Sequence, residues 1–355
     1  MNQDLYWTYA LNLIINSFLA FLTIGLFIQL LIVVFRVKAP RFKAILLCIP
    51  LLKLGFDPFL YDFKNWALLH QINPLESETG SRILSFQICS PSFSSILAPW
   101  TSNIRLLLNN NKTFTIADLA ALSIPPSTVK GIVIIIGLVS IILLSFFIVQ
   151  VIRSMRTLSD IAKKATVCKR PLQNQELIQK ICKSNVQLLL SSHVIAPCAF
   201  GVFRKSICFP VKLIDRLTHD EFEAIIAHEL DHLQWHDGII RMICLCFSSI
   251  FWWIPTTWWV NHMKCNQEMS CDAKIHKFDM APLNLASAIL KTARATKGSP
   301  SLLYSTYFVE KSSISKRLQL LLEKPNTKKN KFKWIKVGIV GVIATSIFLG
   351  RFWIF

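Results

Sequence analysis

The first part of this 355-residue chain lacks positive charge, since no Lys or Arg precedes Arg36. A cleavable signal peptide begins with a positively charged segment, so this absence argues against one. Charged residues are also missing from three long apolar runs, at 18–35, 131–152 and 337–350. A helix that crosses a membrane needs about 20 such residues. We therefore expect an integral membrane protein whose first apolar run is retained.

Acidic residues are scarce: the chain has 20 Asp and Glu against 39 Lys and Arg, for a net charge of +19. Such an excess can indicate nucleic-acid binding or membrane topology. No nucleic-acid recognition motif accompanies it, and the basic residues gather beside the apolar runs, at 36–43, 153–170 and 324–336. This is the pattern of cytoplasmic flanks. We expect a multi-pass protein of the cell membrane and no direct binding of nucleic acid.

The charge pattern divides the chain into five parts. The first two basic groups share one side of the membrane only if the chain crosses it between them, and 44–61 is the candidate, although Lys53 and Asp57 interrupt it. We therefore predict about four transmembrane helices. The parts are an N-terminal transmembrane hairpin at 1–62, an extracytoplasmic loop at 63–130, a transmembrane helix at 131–152, a cytoplasmic-side domain at 153–333 and a C-terminal transmembrane helix at 334–355.

The ten cysteines form no framework of the kind found in secreted domains. Eight of them lie from Cys168 to Cys271, inside the predicted cytoplasmic part, where reduced thiols are the default. Cys244 and Cys246 lie too close together, in too apolar a context, to form a zinc knuckle. We expect free thiols that act as small apolar residues.

A metal-binding motif occupies a predicted helix in the cytoplasmic part. Thr218 and Glu221 match a capping box, which predicts a helix start, and apolar residues then recur at helical spacing. His228 and His232 are four residues apart, so both imidazoles project from one face and can reach one ion. Glu229 follows the first histidine and can act as the base on a zinc-activated water. The alternative is a helix whose two histidines face the lipid headgroups.

A catalytic zinc site needs three protein ligands and one open position. Glu268 and Asp272 are four residues apart and would share a helical face. Glu268 is a candidate for the third ligand, and Asp272 could accept a hydrogen bond from the far nitrogen of a ligand histidine. An ordinary pair of solvated carboxylates would have the same spacing. His236, Asp237 and His262 are the other candidates for the third ligand.

The apolar segment between the two motifs cannot be a straight span if Glu268 binds the ion. A span over 239–260 would separate His232 from Glu268 by about 30 Å. The segment must then double back or lie along the membrane interface, and Pro255 is the natural break. Its four tryptophans suit the headgroup layer. We expect an interfacial or re-entrant segment at 239–261, with the active site at or just within the cytoplasmic membrane surface.

These residues resemble the BlaR/MecR-type membrane metallopeptidases, the antibiotic-sensor transducer family. The resemblance covers about 191–324. It is carried by the stretch Pro-Cys-Ala-Phe-Gly-Val-Phe-Arg at 197–204, the zinc helix at 217–237, the aromatic-proline segment at 251–255, the motif Glu-Met-Ser-Cys-Asp at 268–272 and a basic helix near Arg317. Members of the family carry a large penicillin-binding sensor after the last span. Because the chain ends at Phe355, we expect no sensor domain of that form.

The resemblance implies a mainly α integral membrane protein that contains a gluzincin-like HExxH metallopeptidase domain with a small β-sheet. It implies one bound zinc ion, Zn2+. The roles that it implies are zinc ligand for His228, His232 and Glu268, catalytic base for Glu229, support of the ligand histidines for Asp237 and Asp272, and substrate binding for Phe200, Gly201 and Arg204 on an extended stretch.

Three functions are compatible with the sequence. We expect a regulated zinc endopeptidase that cuts a cytoplasmic or membrane protein, such as a transcriptional regulator or itself. The first alternative is an HtpX or CAAX-type quality-control or processing protease, and the second is a membrane scaffold with a vestigial site. Intact Glu229 argues against the scaffold, because an inactive relative can lose its base freely. The expected partners are a protein or peptide substrate, the lipid bilayer and a second copy in a homodimer.

Overall fold

A computed structural model describes residues 3–60, 75–76, 82–87, 121–124, 126–202, 204–296 and 311–322, with single positions at 338 and 341. The chain is mainly helical and carries a small β-sheet beside the zinc-motif helix, which confirms that part of the predicted fold class. The predicted transmembrane helix at 334–355 lies outside the described residues except for those two positions.

The two N-terminal helices, α1 (Gln3–Val34) and α2 (Pro40–Leu60), pack against each other. They share a small core of buried aliphatic side chains: Ile24, Ile28, Leu31, Val37 and Leu46. The reversal between the helices uses a left-handed backbone at Arg36, with φ 46°. Pro40 begins α2, a position where its missing N–H removes no helical hydrogen bond.

The longest helix, α3 (Pro126–Lys164), has the composition of a membrane span. Among the described residues it is the one helix long and apolar enough to cross a bilayer, while α1 contains a shorter apolar stretch, Phe21–Val34. Several large apolar side chains of α3 are more than half exposed: Ile135, Leu138, Ile141, Ile142 and Phe146. Such a stripe suits lipid better than water. The crossings predicted for α1 and for 44–61 stay predictions.

The bounds of α3 differ from the predicted span at 131–152. The helix begins earlier because Pro126 can occupy its first position. It continues past Arg153 to Lys164 because charged residues end an apolar run without ending a helix.

The predicted loop at 63–130 contains strands that the sequence analysis did not predict. They are β1 (Leu75–Glu76), β2 (Arg82–Gln87) and β3 (Ala121–Ile124), paired antiparallel in the order β1-β2-β3. Strands this short form no long apolar run in the sequence.

A second sheet has the strand order β4-β5-β7-β6. Its strands are β4 (Thr166–Val167), β5 (Val186–Ser191), β6 (Cys198–Phe200) and β7 (Lys205–Pro210). The central strands β5 and β7 run parallel, and the other two pairs are antiparallel. The helix α4 (Gln175–Lys183) connects β4 to β5, and the short helix α5 (Val211–Ile214) follows β7. Strand β6 therefore forms one edge of the sheet.

The zinc-motif helix is α6 (His219–Trp235), and its first turn confirms the predicted capping box. The Thr218 hydroxyl accepts the Glu221 N–H at 3.3 Å, and the Glu221 carboxylate accepts the Thr218 N–H at 2.7 Å. The apolar face of α6 packs on the sheet, where the Phe222 and Phe209 rings lie 4.8 Å apart. This burial fixes the opposite polar face, with its histidines, relative to the sheet.

Helices α7 (Asp237–Ile250) and α8 (Thr256–Lys274) form a hairpin that turns at 251–255. Arg241 near the start of α7 donates to Gln267 near the end of α8 at 2.7 Å. The segment at 239–261 thus doubles back, as it must if Glu268 is to lie beside α6. Its location at a membrane interface stays a prediction.

Helix α8 also packs along α2. The Trp259 indole N–H donates to the Leu47 carbonyl at 2.6 Å, and Met263 lies beside Cys48 in the same buried cluster. Beyond α8 the chain forms a 3-10 turn (Ile275–Phe278), α9 (Pro282–Thr296) and α10 (Lys311–Leu322). Nine cysteines of the described part are free thiols, as expected.

Candidate metal centre

Two helices bring three of the predicted zinc ligands together. Helix α6 presents His228 and His232 one turn apart, with ring centroids separated by 4.9 Å. Helix α8 presents Glu268 opposite them. One carboxylate oxygen of Glu268 lies 3.4 Å from His228 Nε2, and the other lies 3.5 Å from His232 Nε2. The ligand atoms of all three residues lie within 4.8 Å of one another.

The spacing of these atoms fits a zinc ion. Zinc bonds of about 2.0–2.1 Å in tetrahedral geometry separate neighbouring ligand atoms by about 3.3–3.4 Å. The two nitrogen–oxygen distances, 3.4 and 3.5 Å, each to a different oxygen of Glu268, are close to that separation. Two imidazoles and one carboxylate are also a ligand set that catalytic zinc sites use. The residues present therefore fit the metal that the sequence predicts.

Each ligand histidine has a buried carboxylate behind its ring. His232 Nδ1 lies 2.7 Å from Asp237, within hydrogen-bonding geometry. His228 Nδ1 lies 3.0 Å from Asp272, although the angle departs from that of a hydrogen bond. A proton held on each Nδ1 leaves the Nε2 lone pair for the metal. Asp237 and Asp272 thus lie where the sequence analysis expected support for the ligands.

The electrostatics of the site favour a bound cation. Burial lowers the pKa of His228, but its contacts with Asp272 and Glu268 outweigh burial and raise this pKa to about 10. Burial raises the pKa of Glu268, yet His232, Arg317 and His228 hold it well below its ordinary value of 4.5. An ionised carboxylate thus faces histidines that bind protons tightly. Because imidazole must be neutral to ligate, zinc would displace those protons.

Two arginines that sequence reasoning did not assign to the site hold its carboxylates. Arg317 of α10 donates two hydrogen bonds to the Asp272 carboxylate, of 2.7 and 2.8 Å, and lies 3.1 Å from a carboxylate oxygen of Glu268. Arg241 of α7 donates to the other oxygen of Glu268 at 2.8 Å. Arg317 stood in the sequence only as part of a basic helix. An arginine and a carboxylate that lie so far apart in the chain leave no local pattern from which a single sequence could predict their contact.

The predicted base, Glu229, lies on the side of α6 that faces β6. Burial, Cys208 and the nearby Glu229 carboxylate together raise the pKa of the Cys198 thiol on that strand. Burial also raises the pKa of Glu229 above its ordinary value, although the two neighbouring histidines lower it in part. A carboxylate with a raised pKa is suited to accept a proton and release it again.

The residues predicted to bind substrate lie at the end of β6 and in the turn to β7. Phe200 packs against a buried cluster that includes Leu189 and Val194. Gly201 has φ 97°, and a Cβ there would lie 1.9 Å from the Arg204 carbonyl oxygen, so the turn itself requires glycine. Arg204 is exposed. Their roles in substrate binding stay predictions.

Two of the other ligand candidates are not part of any metal-like cluster in the described part of the chain. His236 is exposed and ends α6 in a left-handed conformation, with φ 53°. His262 stacks on Trp258, with ring centroids 5.4 Å apart.

A second group of potential ligand atoms lies behind the first. It consists of His232, Asp237 and Cys271, whose ligand atoms lie within 4.8 Å of one another. The Arg41 guanidinium contacts Asp237 at 2.5 Å and Cys271 at 3.3 Å, so a cationic side chain already occupies this group. The histidine–glutamate triangle is therefore the better metal centre.

Two histidines and a glutamate from a second helix, in a chain whose described residues include one helix apolar enough for a bilayer, define a membrane protein of the metallopeptidase type. The family described as BlaR1 peptidase M56 matches residues 80–321. The chain belongs to this family of metallopeptidases, and the predicted family is thereby confirmed.

Among curated proteins, the chain is similar to the methicillin resistance mecR1 protein of Staphylococcus aureus strain Mu50 / ATCC 700699 and to that of Staphylococcus epidermidis. Each is 20% identical over 236 residues, which cover 66% of this chain and 40% of the relative. It is also similar to a protease HtpX homolog of Bacteroides fragilis, 31% identical over 108 residues, or 27% of this chain and 33% of that protein. The chain thus spans less than half the length of these relatives.

Proposed function

We propose that this chain is a membrane-embedded zinc endopeptidase that hydrolyses peptide bonds of a protein substrate. The observation that carries the proposal is the triangle of His228, His232 and Glu268, whose ligand atoms lie within 4.8 Å of one another, with the two histidine nitrogens 3.4 and 3.5 Å from the two Glu268 oxygens. Glu229 adjoins the triangle on the same helix as the histidines. Membership of a peptidase family supports the same class.

In the proposed mechanism, His228, His232 and Glu268 would hold the zinc ion, and the two buried aspartates keep the imidazoles oriented. When bound, zinc would supply a Lewis acid that polarises a peptide carbonyl and acidifies a water molecule. Glu229 accepts the proton of the attacking water on a carboxylate oxygen and then transfers it to the leaving amine. Burial raises the pKa of Glu229 and so favours the first of these transfers, because a buried carboxylate is more stable in its neutral, protonated form.

The position of β6 supports substrate binding by the edge of the sheet. This strand ends the sheet, so its outer backbone groups pair with no strand among the described residues. A substrate segment in extended conformation can add there as a further strand, close to Glu229. Main-chain pairing of this kind selects little by sequence, so regulation would have to come from access to the site.

We further propose that the site faces the cytoplasm. The apolar α3 ends in basic residues, Lys163 and Lys164, immediately before the peptidase sheet begins at β4. Basic residues flank membrane helices on the cytoplasmic side. The substrate would then be a cytoplasmic or membrane protein, such as a transcriptional regulator or the chain itself. A homodimer stays a prediction.

The experiment that tests this function is Glu229→Gln in the full chain, purified with its membrane lipids. The variant should retain one zinc ion per chain and lose self-cleavage or cleavage of a trapped substrate, because only the base is removed. Asp220→Asn, an exposed change on the same helix, is the matched control and should keep both properties. Cleavage by Glu229→Gln at the parent rate would refute the mechanism.

A second candidate is a quality-control or processing protease of the HtpX type. It is favoured by the 31% identity to the HtpX homolog over 108 residues. Substrate trapping separates the two. Glu229→Gln that captures one regulator supports the first function, whereas capture of many damaged membrane proteins supports the second. A purified chain without stoichiometric zinc would instead favour a scaffold.

A further inference from the structure

A basic side chain from the N-terminal hairpin enters the rear of the metal centre. Arg41 lies at the start of α2, and its side chain is 13% exposed. Its guanidinium reaches four groups on α6, α7 and α8: Asp231 at 2.8 Å, Asp237 at 2.5 Å, Ser270 at 3.1 Å and Cys271 at 3.3 Å. It also lies over the Trp235 ring, 5.0 Å from its centroid. Every donor nitrogen of the guanidinium therefore has a partner.

One of these contacts leads directly to a zinc ligand. Arg41 donates to one oxygen of Asp237, and the other oxygen of Asp237 lies 2.7 Å from His232 Nδ1. The Asp237 side chain is only 1% exposed, so water does little to orient it. A carboxylate fixed at both oxygens has one orientation, and that orientation sets the plane of the His232 ring. The ring in turn directs Nε2 toward Glu268.

The position of Arg41 is set by packing between helices. Helix α2 lies against α8, joined by the hydrogen bond from Trp259 to the Leu47 carbonyl at 2.6 Å. Cys48, Met263 and Cys244 are buried in the same cluster. Since α8 also carries Glu268, the same packing fixes the arginine and the third ligand relative to each other. The N-terminal hairpin thus contributes to the geometry of the metal centre from outside the segment that carries the HExxH motif.

We propose that Arg41 is a positioning residue for zinc binding, which acts on His232 through Asp237. The proposal rests on the proposed function, since it assumes that His232 binds zinc. It differs from a general packing role in one respect. If Arg41 only anchored α2, its loss would affect the site independently of Asp237, whereas a residue that acts through Asp237 has no further effect once Asp237 is changed.

The test measures zinc affinity of the full chain in detergent, by competition with a chromophoric chelator. Arg41→Met should weaken zinc binding about 10-fold or more, the low end of the range for residues that orient ligands. Arg41→Lys keeps the positive charge but loses the planar guanidinium with its several donors. Its zinc affinity should lie between those of the parent and Arg41→Met. Lys274→Met is the matched control, because Lys274 pairs at 2.8 Å with Asp231, a partner of Arg41 other than Asp237. It should change affinity by less than about twofold.

The decisive comparison is a double-mutant cycle with Asp237→Asn. In that background, Arg41→Met should weaken zinc binding by less than about twofold further, because the route to His232 is already broken. The visible spectrum of the Co2+-substituted chain gives a second readout, since Arg41→Met should change the intensity of its d–d bands while Lys274→Met leaves them unchanged. Cooperative thermal unfolding of Arg41→Met and of Arg41→Lys shows that both variants are folded.

The outcomes separate this proposal from the function on which it rests. If the parent binds zinc and Arg41→Met binds it equally well, the role of Arg41 is overturned but the proposed function is not. The same holds if the effects of Arg41→Met and Asp237→Asn on zinc affinity are fully additive. A parent chain that binds no zinc overturns the proposed function and this inference with it. Weaker binding by Arg41→Met that disappears in the Asp237→Asn background supports the proposal.

Discussion

The start of the zinc-motif helix offers a quantitative prediction, because one buried carboxylate joins it to α9. Glu221 is 4% exposed. It accepts hydrogen bonds from the Thr218 N–H at 2.7 Å, the Ser287 hydroxyl at 2.5 Å and the Lys291 ammonium at 2.6 Å. Burial raises the pKa of Glu221, but the bonds from Lys291, Ser287 and Thr218 outweigh burial and leave this pKa below its ordinary value of 4.5.

Glu221→Gln keeps the side-chain shape and removes the charge. A hydrogen bond to a charged group contributes about 1.5–3 kcal/mol, against about 1 kcal/mol for a neutral one. The Lys291 side chain is 34% exposed, so solvent weakens its share. We expect the free energy of unfolding to fall by about 1–2 kcal/mol, which corresponds to a melting temperature lower by about 2–8 °C for an unfolding unit of about 150–250 residues, such as the part at 153–333.

The assay is thermal unfolding of parent and variant in detergent as a function of pH. A carboxylate whose folded-state pKa is depressed contributes stability that is present above the unfolded-state pKa, here the ordinary value of 4.5, and is lost as pH falls through the folded value. The melting temperatures of parent and Glu221→Gln should therefore differ by the full amount at pH 7. This difference should become smaller as the pH falls below about 4.

Asp220→Asn controls for the charge of the first helical turn, because Asp220 is exposed in the same turn. It should lower the melting temperature less, since a surface charge at a helix start contributes about 0.3–1 kcal/mol. Equal melting temperatures of parent and Glu221→Gln at pH 7, or a difference that does not narrow in acid, would refute this reasoning.

Three further predictions concern the metal centre and the sheet edge. Asp272→Asn should weaken zinc binding about 10- to 100-fold in the chelator assay, because Asp272 links His228 to Arg317; an unchanged affinity would remove Asp272 from the site. Gly201→Ala should lower the melting temperature, because its Cβ would lie 1.9 Å from the Arg204 carbonyl oxygen; an unaltered value would contradict the strained turn. Zinc binding near pH 7 should release protons, because the pKa of His228 is about 10. Calorimetry of zinc binding in buffers of different ionisation enthalpy checks this, and a heat of binding that does not depend on the buffer would contradict it.

The parts of the site that the sequence predicted were those with local spacing. His228 and His232 lie on one helical face because the α-helix repeats every 3.6 residues, and the capping box fixed where that helix starts. Glu268 was one candidate among four on spacing alone. The resemblance selected it, and the turn at 251–255 brings it to the histidines.

The arginines around the site could not be read from the sequence. Arg41 and Asp237 are 196 residues apart, and Arg317 and Asp272 are 45 apart. Such pairs depend on tertiary packing, which no local pattern encodes. In the sequence, Arg41 counted only toward a basic group beside an apolar run, because the charge of a residue indicates topology but not its partner.

The ends of a helix differ from the ends of the apolar run within it where charged residues continue the helix. The apolar run at 131–152 is the middle of α3, and the flanking charged residues are good helix formers that extend it. The strands β1, β2 and β3 are short and lie in a stretch without period-two alternation strong enough to predict them.

X-ray absorption spectroscopy of the zinc-loaded full chain tests the central claim most directly, namely that His228, His232 and Glu268 surround one zinc ion. The account predicts a shell of nitrogen and oxygen atoms at about 2.0–2.1 Å, with the outer scattering of two imidazoles and no sulfur. A zinc–sulfur distance of about 2.3 Å would instead assign the metal to the group that contains Cys271, and would contradict the account.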